Sequence, residues 1–169
     1  MVKLAFLPYG YDVHKALHAQ GLAPTLYGRS HKPVIGADIV VMEYLPPPTP
    51  HGPGWRTLHY FHDKHPALVR EKKDAIWVQL NAIVSTLKGL GFVHGDLRPN
   101  NLMIHVTQDT IVDPVTVKAV DMEWAGKVGV ACYPEDRNDI VGYPGEAAGL
   151  IGPDDDTYMV GQLWNEFFT

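Results

Sequence analysis

Cysteine is almost absent. Cys132 is the one thiol in 169 residues, so the chain cannot close a disulfide on itself, and a buried, inert thiol in a reducing, cytoplasmic compartment is expected. Basic charge is also short: 14 Lys and Arg against 19 Asp and Glu leave a net charge of -5. No stripe of Lys or Arg is present to track a phosphate backbone, which argues against nucleic acid as a partner. Long hydrophobic runs are missing as well. The apolar opening Met1-Val2-Lys3-Leu4-Ala5-Phe6-Leu7 is stopped by Pro8 and Gly10, well short of a secretory core or a membrane span, so no membrane partner is expected. No internal repeat is visible. What remains, 46% hydrophobic and 20% charged residues, is enough for one compact unit in one or two lobes.

Val2 to Phe6 reads as a strand, and Val13, Ala16 and Leu17 recur at helical spacing up to Gln20-Gly21. Thr25 to Tyr27 and Ile39 to Tyr44 read as further strands of a small antiparallel sheet, separated by the polar stretch Gly28 to Gly36. Pro46-Pro47-Pro48-Thr49-Pro50 can continue neither helix nor sheet, because proline fixes φ and lacks the amide donor. It is the expected boundary between residues 1–45 and 46–169.

Beyond it, Ile76, Leu80, Ile83, Leu87 and Leu90 step by four, three, four and three, the face of a long helix ending near Gly89 or Gly91. The charged run Arg70 to Asp74 is its expected exposed start. His59, His62 and His65 recur at a spacing of three. With Trp55, Leu58 and Phe61 turned inward, they read as a solvated helix face rather than a metal site. Leu102 to Val106 and Val115 to Val120 are rich in β-branched residues and read as a hairpin, joined by a polar segment with Asp109, Asp113 and Pro114. Asp154-Asp155-Asp156 opens a last helix carrying Met159, Leu163, Trp164 and Phe167 on one stripe. The Trp and Tyr residues are scattered and read as core and interface.

Between the long helix and the hairpin stands Val93-His94-Gly95-Asp96-Leu97-Arg98-Pro99-Asn100-Asn101. It holds His, one residue, Asp, and then Asn five positions after the Asp. Val120-Asp121-Met122-Glu123-Trp124 places a second Asp at the far end of the hairpin. On these residues the chain resembles the protein-kinase-like superfamily. The resemblance implies an α+β fold in which an incomplete small antiparallel-sheet lobe (1–45, with the hinge) sits on a partial, mostly helical lobe (46–169) with a catalytic β-hairpin.

The resemblance also implies ATP and magnesium as cofactors. Phosphoryl transfer is mostly a matter of placing charge: Asp96 would orient or deprotonate an acceptor hydroxyl, Arg98 would neutralise charge on the transferred phosphate, and Asn101 and Asp121 would hold the metal. His94 would pack and hydrogen-bond within the loop. Val41-Met42-Glu43-Tyr44-Leu45 is similar to a kinase hinge, with Met42 closing the adenine pocket and the backbone of the Glu43 and Leu45 region pairing with the base. Lys3 stands where the phosphate-binding lysine strand would be, with Asp12 the nearest candidate carboxylate to pair with it. Asp156 would brace the catalytic loop.

Some residues depart from the protein-kinase pattern. Met122-Glu123 replaces the usual Phe-Gly and Gly95 replaces an Arg, as in the choline-kinase-like and aminoglycoside-phosphotransferase-like branch. Val40 to Leu45 with Ala23-Pro24 also resembles kinase-like proteins abundant in fungi. The absent Arg and the lack of a recognisable activation-loop ending count against switching by loop phosphorylation. No glycine-rich turn precedes Lys3, so the small lobe is expected to be N-terminally truncated and turnover slow or absent. Three functions stay open: a phosphotransferase acting on a protein Ser/Thr or a small-molecule hydroxyl, a catalytically silent binding module, and a fragment of a longer kinase.

Overall fold

In the computed structural model residues 1–6, 8–32, 36–108 and 110–168 are described. Leu7 of the apolar opening, part of the Gly28 to Gly36 stretch and Asp109 of the hairpin connection lie outside them. The first strand, β1 (Val2–Ala5), is followed by α1 (Tyr11–Ala19), β2 (Leu26–Lys32) and β3 (Ala37–Met42). These strands form an antiparallel sheet in the order β1-β3-β2. Lys3 and Arg29 both lie opposite Val40 of the central strand.

The helix α1 buries Val13, His14 and Leu17 against this sheet and the core. Its start is seated on the turn after Asp121. The Gly10 N–H donates to Met122 O at 2.8 Å, and a Cβ at Gly10 would meet Ala125 O at 2.5 Å, so the close approach requires glycine. The polar residues after Tyr27 do not leave the sheet as expected: β2 runs on to Lys32, because Gly28, Arg29 and Ser30 take ladder positions against β3. The third strand ends at Met42 rather than Tyr44, leaving Glu43 to Leu45 as the link into the proline run.

A strand unforeseen in the sequence follows that run, β4 (Pro53–Thr57). It pairs antiparallel with β6 (Leu102–Thr107), with Pro53 at its first position, where no ladder donor is needed. Thr57 then caps α2 (Leu58–Lys64), its Oγ1 accepting the Tyr60 N–H at 3.1 Å. The charge run is not the start of one long helix, since α3 (Pro66–Glu71) and α4 (Lys73–Gly89) break at Lys72. Ile76, Leu80, Ile83 and Leu87 are buried on α4 as their spacing predicts, whereas Leu90 falls past the helix end and is exposed.

The short β5 (Phe92–Val93) leads into the loop His94 to Asn101, and β6 then pairs with β7 (Thr110–Ile111) and β8 (Val117–Ala119). β9 (Gly126–Lys127) returns to β5, and α5 (Asp155–Phe168) buries Met159, Leu163 and Phe167. Trp164 lies against Trp77 with ring centroids 4.5 Å apart. The fold is therefore mixed, with small antiparallel sheets and several helices. One hydrophobic cluster runs from Ala5 and Val40 through Leu80 to Phe167.

The histidines do not share one solvated face. His59 is exposed, but His62 stacks on Phe167 at 3.8 Å and His65 packs by Phe61. Cys132 is exposed rather than buried. Among the described residues no helix is long and apolar enough to cross a membrane.

Candidate functional site

The loop between β5 and β6 is held from below by α5. Both oxygens of Asp156 accept backbone N–H groups of the loop, His94 at 2.7 Å and Gly95 at 2.9 Å, and the carboxylate is buried. Gly95 has φ +79°, and a Cβ there would meet Ile151 Cδ1 at 2.5 Å. The residue that takes the place of Arg in the motif is thus required by this turn. His94 Nδ1 accepts the Asp96 N–H at 3.3 Å, so its Nε2 carries the proton and donates to Val120 O at 3.1 Å. The imidazole is a strut between the loop and the strand end that carries Asp121.

Asp96 is buried, with both carboxylate oxygens engaged. Oδ2 accepts Asn101 Nδ2 at 2.6 Å, and Oδ1 accepts the Tyr143 hydroxyl at 2.7 Å. Arg98 Nε stands 3.2 Å from the same Oδ1. Burial pushes the Asp96 carboxyl above the ordinary Asp range, against the lowering pull of the Tyr143 hydroxyl, Arg98 and Asn101. Burial likewise raises the Tyr143 phenol, and its bond to Asp96 raises it further. Asn101 uses its amide nitrogen on Asp96 O and Oδ2, which leaves its oxygen facing away from that carboxylate. The backbone carbonyl of Asn101 accepts the Val120 N–H at 2.9 Å, tying the two metal-ligand candidates together.

Asp121 adopts φ +68°, a conformation that Asp tolerates better than most residues. Its Oδ1 bonds Lys3 Nζ, and Lys3 also pairs with Glu123 Oε1 at 3.0 Å. The partners of Lys3 are therefore Asp121 and Glu123 and not Asp12, which lies in the first turn of α1. Burial opposes the Lys3 charge, yet the two carboxylates prevail and raise its pKa.

Lys3, Met42, Leu45 and Asp121 meet in one cleft of about 260 Å³, closed by Pro24, Met103 and Val120. Four of the residues singled out from three distant stretches of sequence thus line a common wall. Glu43 stands apart from it. Its carboxylate accepts Lys118 Nζ at 2.7 Å and the Thr25 N–H at 2.9 Å, and its own N–H donates to Thr25 O. The Lys118 and Thr25 bonds hold its carboxyl low despite the opposing effect of burial. A larger cavity of about 390 Å³ opens between the Glu123–Gly126 turn and residues 130–134. It is mostly apolar and holds neither Lys3 nor Asp121.

Among the described residues no cluster of three or more His, Cys, Asp or Glu is arranged to hold a metal. Magnesium does not need one, because it is commonly bound by one or two protein oxygens together with substrate phosphates and water. The hard oxygen donors of Asn101 and Asp121 suit that mode.

Four residues escaped sequence reasoning. Trp124, Tyr133, Tyr143 and Arg137 gather beside Asp96. Tyr143 lies 5.3 Å from Trp124 and 5.5 Å from Tyr133, and the Arg137 guanidinium sits over both tyrosine rings at 4.6 and 5.2 Å. No spacing rule connects them, since Tyr143 lies 47 positions from the carboxylate it bonds.

A small antiparallel sheet thus sits beside a helical body, with a buried Asp-Asn loop braced by a distant Asp and a lysine lining the cleft. The fold is kinase-like. Among solved structures the chain is similar to the Cydia pomonella granulovirus kinase PK-1, with a TM-score of 0.64 and 15% identity over 98% of this chain and 58% of that one. At that identity the likeness is one of fold, and the chain spans about 58% of the viral kinase's length. No protein-family model matches the sequence, and no curated protein matches it.

Proposed function

We propose that the chain is a kinase-like phosphotransferase that moves the γ-phosphate of ATP to a hydroxyl of a protein or small molecule. The carrying observation is the cleft that unites Lys3, Met42, Leu45 and Asp121, next to a loop that buries a carboxylate of raised pKa beside an amide. In this reading residues 1–45 form the small lobe and hinge, and 46–169 the catalytic lobe. Met42 and Leu45 take the adenine, while Glu43 braces the hinge through Lys118 and Thr25.

Lys3 exchanges one of its carboxylates for nucleotide phosphate. Asn101 and Asp121 hold magnesium, which would neutralise charge on the phosphates. Asp96 receives the acceptor proton and Arg98 stabilises the charge developing on the transferred group. The exposed thiol of Cys132 suits a reducing cytoplasm.

A second reading, a catalytically silent module that binds a partner, draws on one observation: the Lys3 ammonium is already neutralised by Asp121 and Glu123. Thermal unfolding with and without ATP plus magnesium separates the two. Ligand at one hundred times its Kd stabilises by about 2.7 kcal/mol, so the wild type should shift upward only when both are present and Asp121→Asn should not. No shift in either protein favours the silent module.

A further inference from the structure

Glu123 connects two cavities. Its Oε1 pairs with Lys3 Nζ at 3.0 Å, and Lys3 lines the cleft of about 260 Å³ together with Asp121. The same side chain lines the larger cavity of about 390 Å³, where it is the one charged group among the described lining residues. Its other oxygen, Oε2, makes no hydrogen bond among the described residues.

The larger cavity is built into the fold. Small residues leave the space: Ala125, Gly126 and Ala131 line it, and a Cβ at Gly126 would come within 3.1 Å of Ala131 Cβ. The backbone around them is tied down. Ala131 N–H donates to Lys127 O at 3.0 Å, Ile151 N–H to Ala131 O at 2.9 Å, and Tyr133 N–H to Gly149 O at 2.9 Å. Trp124 is packed between Tyr143 at 5.3 Å and Tyr133 at 6.2 Å. Pro8, from the link between β1 and α1, completes the lining.

Water gains little in such a space, because it needs about two to four polar partners and the lining is mostly apolar. A hydrocarbon chain regains the missing dispersion contacts and is itself removed from water. The volume of about 390 Å³ falls within the range of small-molecule sites, roughly 300–1,000 Å³. Glu123 selects the head group, since a carboxylate bonds most strongly to a cationic donor and repels a second anion.

We propose that this cavity binds a small aliphatic primary amine, its chain against Trp124 and Ala131 and its ammonium on Glu123 Oε2, and that the bound amine tightens nucleotide binding in the neighbouring cleft. The site stands independently of the phosphotransferase function proposed above, and the coupling rests on that function. An ammonium on Oε2 takes up part of the Glu123 charge that holds Lys3. Glu123 is then the carboxylate that Lys3 gives up most readily for nucleotide phosphate. Coupling between binding sites is reciprocal, so ATP tightens the amine by the same factor.

The test is calorimetric titration of hexylamine into the purified chain, with hexan-1-ol and hexanoate in parallel. The expected result is one-to-one binding of hexylamine, roughly tenfold tighter than the alcohol because its bond to the carboxylate is charge-assisted, and no binding of hexanoate. Glu123→Gln should bind amine and alcohol alike. Ala131→Leu, whose added carbons fill the cavity, should lose hexylamine while still unfolding as cooperatively as the wild type. The exposed Cys132 thiol lines the same cavity, so hexylamine should also slow its alkylation by iodoacetamide. In saturating ATP and magnesium the hexylamine Kd should fall about fivefold.

Absence of hexylamine binding, equal binding of amine and alcohol to the wild type, or amine binding indifferent to Glu123→Gln overturns the inference. If hexylamine and ATP both bind but neither alters the other, the coupling is overturned and the phosphotransferase reading stands. Hexylamine binding in the expected pattern without any ATP binding upholds the amine site and removes the phosphotransferase reading together with the coupling.

Discussion

The carboxylate of Asp156 holds the backbone of His94 at 2.7 Å from 62 positions away, and its other oxygen holds Gly95. The two amides lie where the loop turns toward Asp96, so the last helix fixes the geometry of the proposed base through the main chain. Replacing Asp156 by Ala leaves two buried N–H groups without acceptors. At roughly 1–3 kcal/mol for each unsatisfied group, the loss of stability should be about 2–6 kcal/mol in denaturant unfolding. Asp156→Asn keeps one acceptor oxygen and should lose less.

Gly95→Ala should destabilise by about 1–3 kcal/mol, because a left-handed φ and a contact with Ile151 both resist the added methyl. Denaturant midpoints of the two proteins check this. Ile151→Val in the same background should recover part of the loss, since it removes the terminal carbon that the new Cβ meets.

Asp96 carries a pH dependence of defined sign. Its folded-state pKa is raised by burial, so the native chain binds more protons than the unfolded one between the ordinary Asp value and the raised one. Stability contributed at this site is greatest below the ordinary Asp range and falls as pH rises through that window. Asp96→Asn should therefore melt higher than wild type at neutral pH while losing transfer activity, and the gap should close as pH falls. For activity, the acidic limb of the pH profile should lie above the ordinary Asp range. Tyr143→Phe removes a donor that lowers the Asp96 pKa and should push that limb higher, read with an external hydroxyl acceptor.

The placement of the His94 to Asn101 loop between the long helix and the next strand was legible because it depends on short, fixed spacings and on elements whose periodicity is strong, such as Ile76 to Leu87. The sites that misled depend on contacts between distant positions. Lys3 chooses Asp121, 118 residues away, over Asp12. Pro53 to Thr57 has little strand character of its own and becomes β4 because β6 offers it a partner. Tyr143 carries no local mark, and only the folded chain brings it to Asp96.

Lys3→Met separates stability from binding. The ion pairs it removes are partly solvent-exposed, so the change in unfolding free energy should stay within about 1 kcal/mol. Nucleotide affinity should fall at least tenfold, because the cleft then has no basic side chain among its described lining residues. Equilibrium binding of a fluorescent ATP analogue reads this directly.

The most direct test of the account is calorimetric titration of ATP into the wild-type chain with magnesium, repeated with a chelator and with Asp121→Asn. The account predicts saturable one-to-one binding in the first titration and its loss in the other two. Absence of binding in all three, or binding indifferent to both the metal and Asp121, would contradict it.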